Sequence, residues 1–503
     1  MKHAGTFIKG HFNNIGPIMV AISLKSGSLA RLLGNWRGDN HTDPAYRLLA
    51  RALRLLIVDG RVSSGARLPG ERELARTLGI SRTTLSAAYA ELRDEGYLES
   101  HRGSGSFAHL PQGQATEPES QVNDLGETFI EWTAAALPAP PGLWRAYEEA
   151  LGRLPAFLSG IGYDAQGLSC MREAIARDYE QRGCPTSPEQ IMVTSGAQSG
   201  FSLILRALAR PGDRVVVDNP TYHNALGAIR RNSCQPVPVS LPATGWDLEA
   251  LDAAVRQTGP CFAYLQPDFH NPTGQLMNAA ERKALVQIAA RTLTPLVIDE
   301  TMVGTGFEAF MPLPVAAYDP ENRVVITLGS MSKRYWGGLR IGWIRASEQR
   351  IAELVRLRSV LDMATPVMEQ LTATVMLERA NGDGERRASL RASQEKLIAL
   401  LADALPDWRV HSPQGGLALW VELPRPNASA LAALAEGLGL RFVPGPRFAV
   451  DGGFERFVRL PFTLSEPDLR CAVDRLALAN ARLSRRFHIQ SRVVDALGAD
   501  YVI

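Results

Sequence analysis

The chain has 503 residues, 45% of them hydrophobic, and a formal net charge of +2 at pH 7. This length predicts more than one domain, and the apolar content is sufficient for a large core. The five cysteines are scattered and never stand in C-x-x-C spacing, which argues against a disulfide framework and against a zinc site. We therefore expect no metal centre and a reducing, cytoplasmic environment.

Charge is distributed unevenly along the chain. Residues 1–110 contain 15 Lys and Arg residues against nine Asp and Glu residues, whereas the remainder contains 39 against 43. A basic front end ahead of a mildly acidic body indicates an anionic partner for the N-terminal part alone.

The first residues carry no clear structural signal. The apolar stretch Ile15–Leu24 is too short to span a bilayer, and it has no clear cleavage site. We interpret residues 1–40 as an N-terminal tail, and the true start of the protein is either Met1 or Met19.

Residues 41–109 predict a winged helix-turn-helix. Asp43-Pro44 begins a first helix, a brief second helix ends near Gly79, and Ser81 caps a third. Two short strands around a glycine-rich turn then follow the helices. Because the start of the third helix enters the major groove in such a unit, it predicts these DNA contacts: Arg82, Thr83 and Thr84 to bases and phosphates, Arg72 to the backbone, and Arg102-Gly103 from the wing.

The alternative is a small helical interaction domain whose arginines are merely solvated. However, residues 44–108 resemble the DNA-binding domain of GntR-family regulators. They match its Leu-Pro-x-Glu-Arg-x-Leu-Ala, Ser-Arg-Thr-Thr, Glu-Gly-Tyr-Leu and Gly-x-Gly-x-Phe signatures in order. The resemblance implies double-stranded operator DNA as a partner and the same six contact residues.

Residues 110–124 have the composition of a flexible linker, and the body occupies residues 125–503. Predicted strands alternate with helices in the body, which favours a parallel or mixed sheet covered by helices on both faces. Asn271, Asp299 and Lys333 each follow a predicted strand. Because ligands bind beyond the carboxyl ends of such strands, these three side chains are expected at one rim.

This rim has the groups that pyridoxal 5'-phosphate needs. Lys333, which we expect in a glycine-bearing turn before a strand that begins at Leu339, can form an imine with the aldehyde, and Asp299 can pair with the ring nitrogen. Asn271 can donate to the phenolic oxygen, and Tyr222 can stack on the ring. The predicted phosphate cup consists of Gly196, Ala197, Gln198, Ser330 and Arg340.

Each of these residues has an ordinary alternative role taken singly: a solvated lysine, a helix cap, a turn residue or a core aromatic. Their order nevertheless resembles a fold-type I, aspartate-aminotransferase-like domain over residues 125–480, with a small C-terminal α+β domain. The resemblance implies that Tyr163 reaches the partner subunit's cofactor phosphate in a homodimer. It also implies that Arg459 binds a substrate carboxylate, although a structural salt bridge is the alternative.

One position departs from the family pattern. The family has a tyrosine two residues after the aspartate, where it donates to the phenolic oxygen, and this chain has Thr301. The loss of that donor changes the proton affinity of the imine, which puts efficient transamination in doubt but leaves imine exchange possible.

A GntR-type domain fused to this body resembles the MocR/GabR class of transcriptional regulators. The first hypothesis is a dimeric regulator that senses an amine or amino acid by imine exchange at Lys333. The second is a catalytically active aminotransferase with an accessory DNA-binding domain and Lys333 as its base. The third is a DNA-binding protein whose body no longer holds the cofactor.

Overall fold

The computed structural model describes residues 23–37, 43–58, 61–62, 65–101, 105–109, 129–140, 142–308, 311–379 and 383–498. The predicted linker, the wing residues Arg102 and Gly103, and the start at Met1 or Met19 lie outside these ranges. The chain divides into two compact units, and the larger of them spans Ser120–Ile489. None of the described helices is both long enough and apolar enough to cross a membrane.

The N-terminal unit is a winged helix-turn-helix. Its elements in chain order are α1 Ser26–Leu33, α2 Ala45–Val58, α3 Glu71–Leu78, α4 Arg82–Asp94, β1 Leu98–His101 and β2 Gly105–Ala108.

The three helices α2, α3 and α4 pack around one apolar cluster, and β1 and β2 form an antiparallel hairpin. The Ser81 side chain accepts a hydrogen bond from the Thr84 N–H, so the serine caps α4 as its position predicts. Gly79 ends α3 in the left-handed conformation, which glycine adopts without steric cost.

Helix α1 is an element that the sequence analysis did not predict. Leu29 and Leu33 on this helix are buried in the same cluster as α2, α3 and α4. The packed unit therefore begins within residues 1–40, which were interpreted as a tail.

The remaining elements belong to the larger unit, except for the end of the last helix from Gln490 onward, which is grouped with the first unit. They are β3 Ile130–Trp132, α5 Leu143–Arg153, α6 Ser169–Gln181, β4 Ile191–Thr194, α7 Ala197–Leu208, β5 Arg214–Asn219, α8 His223–Arg231, β6 Gln235–Ser240, α9 Leu248–Thr258, β7 Phe262–Leu265, α10 Ala279–Thr292, β8 Leu296–Asp299, β9 Val325–Ser330, α11 Met331–Arg334, β10 Gly342–Arg345, α12 Glu348–Arg358, α13 Val367–Glu378, α14 Asp383–Ala404, β11 Arg409–Val410, β12 Ala418–Glu422, α15 Ala428–Glu436, β13 Leu440–Pro444, β14 Phe457–Pro461 and α16 Glu466–Gly498.

Seven strands form the central sheet in the order β4-β10-β9-β8-β7-β5-β6. Only β10 among them runs antiparallel to its neighbours, so the carboxyl ends of β4, β9, β8 and β7 share one edge. Side chains alternate between two cores. Val216 packs in one apolar cluster, whereas Val215 and Val217 pack in the other. Helices therefore cover both faces, as predicted.

The same unit contains a second, smaller sheet of five strands in the order β11-β12-β14-β13-β3. It shares an apolar cluster with α14, α15 and α16. The short strand β3 joins this sheet in parallel with β13, so a segment far upstream in the sequence becomes part of the small domain.

Two local predictions around Lys333 were wrong. The lysine lies on the one-turn helix α11, and the Gly337-Gly338 pair forms a separate 3-10 turn after it. The strand expected from Leu339 begins three residues later, at Gly342, because Arg340 adopts a left-handed backbone conformation with φ of 52°.

Candidate functional site

A cavity of about 290 Å³ lies at the edge where the strands β7, β8 and β9 end. Residues predicted for the cofactor or effector line it together: Ala197, Gln198, Tyr222, Asn271, Asp299, Thr301, Ser330, Lys333, Arg340 and Arg459. Most of them lie on, or follow, the carboxyl end of a strand of the central sheet. Arg340 precedes the antiparallel β10 at the same edge, and Arg459 lies on β14 of the smaller sheet.

Lys333 is half-buried at the wall of this cavity. Its Nζ donates to the Ala135 carbonyl at 2.6 Å. Burial, together with the charge of Arg459, lowers the pKa of this amine to about 8, although Asp299 acts in the opposite direction. The lowered pKa gives this amine a larger neutral fraction near neutral pH than an ordinary lysine has, and the neutral form is a nucleophile and a potential base.

Asp299 ends β8 and is 6% exposed. Its Oδ2 accepts hydrogen bonds from the Tyr264 hydroxyl at 2.5 Å and from Gln266 Nε2 at 3.2 Å. Its Oδ1 accepts from the Thr301 N–H at 2.9 Å. The carboxylate is therefore held in one orientation by three donors.

Asn271 and Arg459 are in direct contact. Arg459 Nη1 donates to Asn271 Oδ1 at 3.2 Å, and Nη2 donates to the Thr133 carbonyl. The Arg459 Nε, by contrast, is buried without a hydrogen-bond partner among the described residues. Because its oxygen accepts from the guanidinium, Asn271 keeps its NH2 group available as a donor.

The Arg459 guanidinium is buried beside an aromatic ring. Burial lowers its pKa to about 10, and its Cζ lies 5.1 Å from the centroid of the Phe448 ring. No salt bridge to Arg459 occurs in the part of the chain that the structure describes, so the alternative of a structural salt bridge lacks a partner there.

The predicted phosphate cup is built around Gly196, which precedes α7. Gly196 has a φ of +90°, and a Cβ at this position would lie 2.7 Å from Arg340 Nη2. Arg340 Nη2 also donates to the Ser195 carbonyl at 3.1 Å. Since first-turn N–H groups have no partner within a helix, Ala197 and Gln198 present donors beside this guanidinium.

The two serines before Lys333 differ in their bonding. Ser330 Oγ donates to the Ile341 carbonyl at 3.3 Å and accepts from the Ser332 N–H at 3.1 Å. Ser332 Oγ is buried and has no partner among the described residues, yet the residue lines the cavity. Ser332 was not predicted as a site residue, although its position directly before the lysine was a usable signal.

Tyr222 lines the cavity, and its hydroxyl accepts from Asn224 Nδ2 at 2.8 Å. Tyr163, in contrast, is 64% exposed and does not line the cavity of its own chain. Its expected contact with a partner subunit stays a prediction.

Several cavity residues were not predicted. They include Tyr264, Gln266, His270, His223 and the Thr133–Ala135 segment. Gln266 directly follows a buried strand and was therefore recognisable, whereas the contact of Ala135 with Lys333 joins residues 198 positions apart and leaves no local signal.

The predicted DNA-contact residues of the described chain lie on two helices of the N-terminal unit. Arg72 on α3 and Arg82 and Thr83 on α4 are exposed, and Thr84 is half-buried. Arg82 Nε lies 3.7 Å from Glu71 Oε2, so an ion pair links the first turns of α3 and α4.

The cavity residues fit pyridoxal phosphate. Ser332 Oγ is an orphaned hydroxyl, and the lack of a side chain at Gly196 lets the Arg340 guanidinium lie against the start of α7, where an anion is favoured. Lys333 would supply an amine for the aldehyde, and Asp299 would supply a buried carboxylate for a protonated ring nitrogen.

Comparison with known proteins identifies both units. The family model "Aminotransferase class I and II" matches residues 161–476. The chain belongs to this family. The model "Bacterial regulatory proteins, gntR family" matches residues 45–107, so this family member carries a GntR-type DNA-binding domain in the arrangement of the MocR/GabR class.

Its relatives are of two kinds. The uncharacterized HTH-type transcriptional regulator YdcR of Escherichia coli is 28% identical over 82% of this chain and 94% of its own length. YisV of Bacillus subtilis, also an uncharacterized HTH-type transcriptional regulator, is 24% identical over 90% and 99%. The 2-aminoadipate transaminase of Thermus thermophilus is 31% identical over 58% of this chain and 75% of its own length.

Solved structures agree with the fold of this class I and II family member. The α-aminoadipate aminotransferase LysN of Thermus thermophilus, complexed with N-(5'-phosphopyridoxyl)-L-leucine, has a TM-score of 0.65 at 28% identity, over 71% of this chain and 93% of that chain. A multiple substrate aminotransferase from Thermococcus profundus has a TM-score of 0.65 at 25% identity, over 74% and 96%.

Proposed function

We propose that the protein is a homodimeric transcriptional regulator that binds operator DNA and senses an amine or amino acid at Lys333 with pyridoxal phosphate. The observation that carries the proposal is the convergence of Lys333, Asp299, Asn271 and Arg459 on one cavity of a chain with a GntR-type domain. YdcR and YisV, which match most of the chain, bear the name of transcriptional regulators.

The cofactor, when bound, supplies an aldehyde that combines reversibly with primary amines. Lys333 provides the amine that would combine with the aldehyde in the absence of an effector. Because its pKa is lowered to about 8, part of this amine is neutral and reactive, and an incoming amine could replace it. LysN, which shares the fold, is complexed with a phosphopyridoxyl amino acid, and this supports the same class of ligand here.

Arg459 orients an amino acid effector in this proposal. Its unpaired Nε and its lowered pKa mark a desolvated cation that gains from a carboxylate, and a guanidinium binds a carboxylate bidentately. Asn271, held by the same guanidinium, offers its NH2 group to the phenolic oxygen of the ring. The effector carboxylate and the cofactor ring would therefore bind to two side chains that are hydrogen-bonded to each other.

Dimerisation is supported by an exposed apolar surface. Leu158 and Ile161 are 69% and 85% exposed, and Val360 and Met363 are 75% and 50% exposed. The two segments are neighbours, because Arg358 Nη1 donates to the Ala165 carbonyl at 2.9 Å. A second copy of the chain covers this surface in the proposal, with Tyr163 beside it.

A catalytically active aminotransferase is the second candidate. The partly neutral Lys333 amine is suited to act as a general base, and the relatives include a 2-aminoadipate transaminase. Thr301 in place of the family tyrosine favours sensing over turnover.

The experiment that tests the proposal measures two responses to a panel of amines and amino acids. The first is binding to a DNA duplex that the wild-type protein selects from a random-sequence pool. The second is conversion of the bound cofactor to its aminated form. A sensor changes its DNA affinity with an effector in the absence of steady turnover. Steady turnover with unchanged DNA affinity would instead support the aminotransferase.

A further inference from the structure

Two polar residues at the end of β7 converge on Asp299. Tyr264 lies in β7 and Gln266 directly follows it. The Tyr264 hydroxyl donates to Asp299 Oδ2 at 2.5 Å, and Gln266 Nε2 lies 3.2 Å from the same oxygen and 2.7 Å from the hydroxyl. With the Thr301 N–H on the other oxygen, both oxygens of the carboxylate have donors.

This cluster is nearly closed to solvent. Tyr264 is 1% exposed, Gln266 is 4% exposed and Asp299 is 6% exposed. A carboxylate buried to this extent loses most of its hydration, and fixed donors are what favour its charged form in such a place. Burial and the neighbouring Asp299 raise the pKa of Tyr264 well above its usual range, so the phenol keeps its proton and acts as the donor.

Gln266 extends the cluster toward the opposite end of the site. Its Oε1 accepts from the Asn271 N–H at 3.2 Å, while its Nε2 contacts Tyr264 and Asp299. One side-chain amide therefore fixes the position of Asp299 relative to Asn271. These are the two residues that the proposed function places at the ring nitrogen and at the phenolic oxygen.

We infer that Tyr264 and Gln266 are positioning residues that fix the Asp299 carboxylate in the orientation in which it would pair with the protonated ring nitrogen of pyridoxal phosphate. The inference rests on the proposed function. The Tyr264 hydroxyl and the Gln266 amide both hold Oδ2, so the carboxylate has one fixed position in the cavity wall. Without the hydroxyl, the carboxylate loses its shortest hydrogen bond and would pair less well with the ring nitrogen.

The test uses the full-length protein loaded with pyridoxal phosphate labelled with 15N in the ring, and it measures the 15N resonance. Tyr264→Phe removes only the hydroxyl, and we expect the resonance to move toward the value of an unprotonated pyridine. Tyr179→Phe is the matched control. Tyr179 is equally buried, and its hydroxyl donates at 3.3 Å to Glu300, the residue after Asp299. This variant is expected to keep the wild-type resonance.

An unchanged resonance in Tyr264→Phe overturns the inference and leaves the proposed function standing. Equal shifts in both tyrosine variants also overturn it, because they report a general loosening of the sheet. If Tyr264→Phe does not fold, Gln266→Leu replaces it, since it removes the second donor on Asp299 Oδ2 and is expected to move the resonance in the same direction. A wild-type protein that takes up no cofactor contradicts the proposed function and this inference together.

Discussion

The guanidinium of Arg459 donates through Nη1 to the side-chain oxygen of Asn271, at 3.2 Å. This bond joins the residue expected to bind the effector carboxylate to the residue expected to contact the cofactor ring. It lies inside the cavity that also contains Lys333 and Asp299. An effector that engages Arg459 therefore acts on a group that already bonds to the ring site.

Arg459→Lys is expected to weaken binding of amino acids by about 1.5–3 kcal/mol, because a lysine lacks the forked donors that match a carboxylate. Amines without a carboxylate should bind both proteins alike, and they serve as the matched ligand control. Titration of the cofactor spectrum with an amino acid and its decarboxylated counterpart measures both effects. Equal weakening for the two ligands would contradict a carboxylate-binding role.

Capture of pyridoxal phosphate by the cofactor-free protein should accelerate with pH and level off above a midpoint of about 8. The reason is that the neutral form of Lys333 reacts, and burial lowers its pKa from 10.5 to about 8. Because Arg459 also lowers this pKa, Arg459→Leu should move the midpoint upward. Stopped-flow absorbance across pH measures it, and a midpoint near that of an ordinary lysine would be inconsistent with the buried environment.

Gly196→Ala is expected to reduce cofactor affinity, since the added Cβ would lie 2.7 Å from Arg340 Nη2 and displace the guanidinium. Gly212→Ala is the matched control, because Gly212 has a similar φ of +93° but nothing within 4 Å of an added Cβ. Both variants carry backbone strain of about 1–3 kcal/mol, because each places a side chain at a positive φ. Equilibrium dialysis with pyridoxal phosphate should separate them, and equal losses would show that strain alone is responsible.

Arg82→Ala should weaken DNA binding by about 1–3 kcal/mol, because the residue stands exposed at the first turn of α4. Fluorescence anisotropy with the selected duplex measures the loss. Cofactor uptake should be unchanged, since the cavity lies wholly within the larger unit. A variant that loses both activities would point to misfolding instead.

Sequence reasoning predicted most of the fold because the strands and caps carry local signals. Val215–Val217 form a short β-branched run, and Ser81 is a capping residue before an apolar helix. Helix α1 was missed because Leu29 and Leu33 are the two apolar side chains buried on its two turns, which are too short to show a clear period. The left-handed conformation of Arg340, which delays β10, depends on tertiary contacts.

The main residues of the site could be predicted from the sequence, but the hydrogen bonds between them could not. Lys333, Asp299 and Asn271 follow strands that share one edge, so their convergence follows from the alternation of strands and helices. Tyr264 lies within the buried strand β7, and its bond to Asp299 depends on the pairing of β7 with β8. Such cross-strand contacts require the register, which a single sequence does not reveal.

The central claim is that Lys333 holds pyridoxal phosphate in this cavity. The most direct measurement is the visible absorbance of wild-type protein and of Lys333→Ala after incubation with pyridoxal phosphate and removal of the free cofactor. Wild-type protein should retain a visible band that an amine effector alters, and Lys333→Ala should lack that band. An identical band in the two proteins would contradict the role of Lys333.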